Sequence, residues 1–158
     1  METQPVVHNT FTIDRIYPTA PERVFAAFSD PTMKRRWFAE GEHHTLESYD
    51  LDFRDGGTEH YSSRFKEGTP VAGLELTNEN SYQNIVPNRR IVFTSTMWLG
   101  GKCISISVGT IELEPAGKGT KLTLTFQSAF LEGADGPAMR EAGWRTLLEK
   151  LAAVLAAE

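Results

Sequence analysis

The chain has 158 residues, 40% of them apolar and 23% charged, and a formal net charge of −5. A chain of this length buries about 70% of its unfolded surface around one core, and no window holds the ~18 consecutive apolar residues that a membrane span needs. The cations are scattered and their densest group, Lys34-Arg35-Arg36, reads as a solvated face, so the basic surface that nucleic-acid binding demands is not expected.

Residues 10–17, TFTIDRIY, alternate with Phe11, Ile13 and Tyr17 on one side, which is the period of a half-buried strand. Two helix starts follow. Pro21 precedes Val24, Phe25 and Phe28 at helical spacing, and Asp30-Pro31 offers an N-cap with a first-turn proline. From His44 to Phe130 the chain is strand-like. Turn signals at Asp55-Gly56-Gly57, Gly68-Thr69-Pro70, Pro87-Asn88, Gly100-Gly101 and Ala116–Gly119 divide it into about six strands. Such short connections join antiparallel neighbours, so a meander is expected. Ile104, Ile106 and Val108 share one phase and Ile111 and Leu113 the other, which predicts a bulge near Gly109. The last segment predicts a long helix. Pro137 marks its first turn, Trp144, Leu147, Leu148, Leu151, Val154 and Leu155 form its apolar stripe, and Arg140, Arg145, Glu149 and Glu158 face water.

These elements predict one α+β domain over residues 1–158, with residues 1–9 a flexible terminus. Its seven-stranded antiparallel sheet must be covered by the long helix, and a curved sheet leaves a ligand cavity between them.

The stretch 52-DFRDGGTEHYSSRF-65 admits a metal site, a phosphate loop or a hairpin. Glu59 and His60 are adjacent on a strand and point to opposite faces, so they cannot share an ion, and no helix follows the glycines. A hairpin with a three-residue loop, Asp55-Gly56-Gly57, places Gly57 in the left-handed position. It pairs Arg54 with Thr58, Phe53 with Glu59 and Leu51 with Tyr61.

Taken together, 19-TAPERVFAAFSDPTMKRRWF-38, 52-DFRDGG-57, 82-YQNIVPNRRIVFT-94, 119-GTKLTLTF-126 and 143-GWRTLLEKL-151 resemble one family. It is the AHSA1-like branch (activator of Hsp90 ATPase homologue 1-like) of the START/Bet v 1-like, or SRPBCC, superfamily. The resemblance runs from about Thr12 to Leu155. It implies a helix-grip fold, in which the antiparallel sheet wraps the C-terminal helix around an internal cavity. It also implies that Asp52, Arg54, Gly56 and Gly57 belong to a structural hairpin signature.

No G-x-S-x-G elbow accompanies the histidines, Cys103 has no motif around it, and the histidines have no metal-ligand spacing. Neither a metal nor a cofactor is expected, and no catalytic residue can be assigned. The lone cysteine fits a reducing compartment, and with no signal peptide in METQPVVHNT a cytoplasmic protein is expected. The expected function is binding of an apolar or amphipathic small molecule, with Trp37, Tyr61, Tyr82, Trp98, Phe130 and Trp144 as cavity-lining residues. Tyr61 is preferred to His60 because only one of two adjacent strand residues can face inward. The alternative is an enzyme of the polyketide-cyclase or hydrolase kind found on the same fold. It would need His60, Asp50 or Glu75 facing the cavity. A regulatory protein of the Hsp90-activator kind is the least expected, since those activators carry a further N-terminal domain. The sheet's unpaired edges and uncovered back leave room for a homodimer.

Overall fold

The computed structural model describes residues 4–157. The order is β1 (Val7–Tyr17), α1 (Pro21–Ser29), α2 (Pro31–Lys34) running into a π-helical turn over Arg35–Ala39, then β2 (His44–Leu51), β3 (Thr58–Phe65), β4 (Glu75–Val86), β5 (Arg90–Leu99), β6 (Lys102–Ala116), β7 (Gly119–Phe130) and α3 (Pro137–Ala156). The seven strands form one antiparallel sheet in the order β1-β7-β6-β5-β4-β3-β2. This is the α+β helix-grip arrangement. β1 begins at Val7, opposite Phe130, so Val7, His8 and Asn9 belong to the sheet rather than to a loose terminus. Residues 1–3 lie outside the described ones.

The helix starts follow their local chemistry. Pro21, Pro31 and Pro137 each occupy the first turn, and the Asp30 carboxylate accepts from the backbone N–H groups of Thr32 (2.8 Å) and Met33 (3.2 Å). α3 turns Trp144, Leu148, Leu151 and Leu155 into the core, against Phe11, Ile13, Leu124 and Phe126 of the sheet and Val24 and Phe28 of α1. The Tyr17 hydroxyl donates to the Leu148 carbonyl at 3.0 Å and ties β1 to the middle of α3.

Four local expectations are corrected. The β2–β3 hairpin pairs Leu51 with Glu59 and Tyr49 with Tyr61, two residues away from the minimal-loop register. The loop is longer because β4 holds it: Gly56 N–H donates to Tyr82 O, Tyr82 N–H to Gly57 O, and Ile85 N–H to the Asp55 carboxylate. Gly56, with φ +79°, takes the left-handed position, and Gly57 is needed because a Cβ there would stand 2.1 Å from the Asp52 carbonyl.

The bulge in β6 lies at Ile104, not at Gly109. Met97 pairs with Ser105 and Trp98 with Cys103, leaving Ile104 without an opposite residue. Beyond it Ser105, Ser107, Gly109, Ile111 and Leu113 face inward, while Ile106 and Val108 are 50% and 38% exposed on the outer face. Gly109 carries no side chain because the Phe93 ring occupies that space, 2.3 Å from where a Cβ would sit.

The last two corrections concern charge. Lys34 and Arg140, expected on solvated helix faces, are 5% and 7% exposed. Arg35, Arg36, Arg145 and Glu149 do face water, and Glu158 lies outside the described residues.

Candidate functional site

Between the sheet and the first half of α3 lies a cavity of about 240 Å³. Alternation brings Tyr61 of β3, Asn78 and Asn80 of β4, and Phe93, Ser95 and Met97 of β5 to its floor. α3 roofs it with Met139, Arg140, Gly143, Trp144 and Leu147, one helical face. Met97, Asp135 and Met139 also wall an adjoining space of about 610 Å³, which Val71, Leu76, Leu99 and Ile104 make apolar.

Arg140 is fixed in this wall. Its Nε and Nη2 donate to the two Asp135 carboxylate oxygens at 2.9 and 2.7 Å, and Nη2 also donates to Ser105 Oγ at 3.0 Å. The guanidinium carbon stands 5.2 Å from the Phe130 ring centroid. Nη1 has no partner. Asn80 donates its amide N–H to Glu59 at 2.8 Å and Asn78 donates to Ser95 Oγ at 3.0 Å, but neither side-chain oxygen receives a hydrogen bond. Five buried side-chain polar atoms among the described residues lack partners, and four of them belong to His44, Asn78, Asn80 and Arg140, all lining this cavity. The fifth, Ser63 Oγ, lies two residues beyond Tyr61 on the same face of β3.

Beside the cavity is a closed polar cluster. Lys34 Nζ donates to both oxygens of Glu59 at 2.9 and 2.8 Å, and Glu59 also accepts from Tyr49 (2.7 Å), Asn80 (2.8 Å) and Tyr82 (3.3 Å). The Lys34 ammonium sits 4.1 Å from the Phe38 ring centroid. Burial pushes the Lys34 pKa below the usual lysine value, against the opposing pull of Glu59. The space there is about 10 Å³, so the cluster admits no substrate and serves to join α2 to the sheet.

The family description "Activator of Hsp90 ATPase homolog 1-like protein" matches residues 18–156. The chain belongs to this AHSA1-like family. Among solved structures, a protein from Rhizobium leguminosarum is 36% identical with a TM-score of 0.90, 98% of each chain being covered. The Mll3558 protein from Rhizobium loti is 46% identical with a TM-score of 0.83, covering 96% of this chain and 99% of that one. An AHSA1-like protein from Aeromonas hydrophila, 21% identical over 94% of this chain and 93% of its own with a TM-score of 0.68, shares the fold. No curated protein matches the chain.

Of the six residues predicted to line the cavity of this AHSA1-like chain, Tyr61 and Trp144 do so. Trp37 is fully buried in the core and donates Nε1–H to the Ala27 carbonyl at 2.8 Å. Tyr82 is committed to Glu59, and Phe130 backs Arg140 from the end of β7. Trp98 is in the opposite phase to Met97 and Leu99, the cavity-lining residues beside it, and so stands on the outer side of the sheet. His60 and Asp50 are cross-strand partners on the outer side, and Glu75 is half-exposed in reach of Arg64 at 3.7 Å, so none of these three faces the cavity. The residues missed were Asn78, Asn80, Arg140 and His44. The phase Leu76, Asn78, Asn80, Tyr82 in β4 is the signal that could have found the asparagines.

All four tyrosines are held above the ordinary phenol value of 10, first by burial. Tyr61 is pushed up to about 12, with Arg140 pulling the other way. The unfolded chain releases these protons near pH ~10 and the folded one does not. Above that pH the unfolded state therefore binds fewer protons, and stability falls from pH 10 upward through the folded values. Absorbance at 295 nm should show no phenolate step near pH 10 while circular dichroism remains native. A phenolate step at pH 10 in the folded protein would contradict these environments.

Proposed function

We propose that this AHSA1-like protein binds a small amphipathic molecule in the cavity between the sheet and α3. The observation that supports this most is that four of the residues lining it carry a buried polar atom without a partner. A buried polar group without a partner costs about 1–3 kcal/mol, and four such residues around one space suit a site completed by a ligand. The apolar walls would add about 25 cal/mol for each Å² of ligand surface buried. The carrier role suits the lone, half-buried Cys103 and a reducing, cytoplasmic setting. The enzyme alternative would now rest on His44, the imidazole in the cavity wall, rather than on His60, Asp50 or Glu75. Burial and the neighbouring Lys150, Lys66 and His43 lower its pKa, which keeps the imidazole neutral.

Gly143 supplies the test. It lines the cavity, and a Cβ there would meet nothing within 4 Å. Gly143→Leu should obstruct the site from its exposed side without disturbing the core. Replacing a helix-interior glycine should also raise stability by about 0.5–1 kcal/mol. The neutral reporter N-phenylnaphthylamine should brighten in the wild type and not in the variant. Equal brightening in both proteins would place the reporter elsewhere and defeat the proposal.

A further inference from the structure

We infer that the cavity selects an uncharged compound whose polar end carries both a hydrogen-bond donor and an acceptor. This rests on the ligand-binding proposal and specifies the class of ligand.

The unpartnered atoms define the two requirements. The Asn80 orientation is fixed because its amide nitrogen must donate to the Glu59 carboxylate, which leaves its side-chain oxygen as an acceptor in need of a donor. Asn78, 3% exposed, stands two residues earlier on the same face with its amide on the Ser95 hydroxyl, which can donate or accept, so one of its two amide atoms is left unpaired. Arg140, 7% exposed, presents the converse: Nη1 is a donor without an acceptor. A purely apolar occupant would leave all three unpaired.

The charges of the wall exclude an ionic head. The ionisable residues lining the cavity are His44, Tyr61, Asp135 and Arg140. Arg140 is neutralised by the two-point pair with Asp135, and the adjacent Lys34 by Glu59. His44 and Tyr61 are held neutral by the shifts described above. A carboxylate or ammonium entering this space would lose its hydration and meet no free counter-charge. A neutral amide or hydroxyl group faces no such penalty, and small rotations of Asn78, Asn80 and Arg140, which line the space, would bring their unpaired atoms to it. The polar end then occupies the 240 Å³ space, and an apolar tail extends past Met97 and Met139 into the 610 Å³ space.

Isothermal titration with decanamide, decanoate and decylammonium tests this on the intact wild-type protein. Decanamide should bind at least tenfold more tightly than either ion. Asn78→Asp, nearly isosteric, introduces a charge and should transfer the preference to decylammonium. Asn78→Leu should weaken decanamide at least tenfold while circular dichroism stays native. Decanoate binding as tightly as decanamide to the wild type would overturn the uncharged class while leaving cavity binding intact. An unchanged preference in Asn78→Asp would likewise overturn it. If none of the three probes binds, both this inference and the ligand-binding proposal fall.

Discussion

Replacing Lys34 with methionine, with Glu59 left in place, is expected to lower the unfolding free energy by about 3–5 kcal/mol, the usual cost of stranding one member of a buried ion pair. Glu59 is 1% exposed and would keep the hydrogen bonds from Tyr49, Asn80 and Tyr82 but lose the cation it is paired with. Those three donors are neutral, so the charge would stay buried and uncompensated. The double variant Lys34→Met/Glu59→Leu removes the charge as well. It should recover only part of the loss, because a buried pair exchanged for apolar groups is often close to neutral but Tyr49, Asn80 and Tyr82 are left without their acceptor. Urea unfolding followed by circular dichroism measures both. A single variant costing under about 1 kcal/mol would show that the pair does not act as a buried one.

Trp144→Ala should cost about as much, 3–5 kcal/mol, by the different route of cavity creation. The indole is 6% exposed and lies among three rings, with centroids 5.4 Å from Phe126, 6.0 Å from Phe38 and 6.5 Å from Phe93. Those partners come from β7, the π-helical turn and β5, so no single shift of one element can refill the gap. For a chain of this size the loss corresponds to a fall in Tm of roughly 6–20 °C. A fall of only a degree or two would mean that the aromatic cluster is loosely packed. The same residue stands between the closed core and the cavity beneath α3. The variant should therefore also open that cavity towards Tyr82 and Ile91.

The parts legible in the sequence were those governed by local chemistry. Pro21, Asp30-Pro31 and Pro137 mark helix starts whatever the rest of the chain does, and glycine pairs mark turns between strands. The order of elements then constrained the sheet and its covering helix, and the family resemblance pointed to the same helix grip. The site was less legible for three physical reasons. Lys34 and Arg140 sit on helices among other polar residues, and their burial depends on Glu59, 25 positions away, and on Ser105, 35 away. The inward residues of β6 are serines and a glycine while the outward ones are Ile106 and Val108, so an apolar-inside rule selects the wrong face and moves the bulge. In β4, TNENS is polar in both phases, so only the flanking Leu76 and Tyr82 mark the phase in which Asn78 and Asn80 face inward. A sheet that floors a polar cavity has this pattern, whereas one that floors a dry core does not. The aromatic residues misled in the opposite direction: Trp37, Tyr82 and Phe130 are large enough to suggest a pocket but complete the core around it.

If the space beneath α3 is a binding site, native mass spectrometry of freshly purified protein will find it occupied. The predicted result is a small-molecule mass increment that persists natively, disappears on denaturation, and is absent from the Gly143→Leu protein. The same spectrum would show whether the protein is a monomer or a homodimer. An increment retained undiminished by Gly143→Leu would contradict binding there, because that side chain is added to the lining of the proposed site.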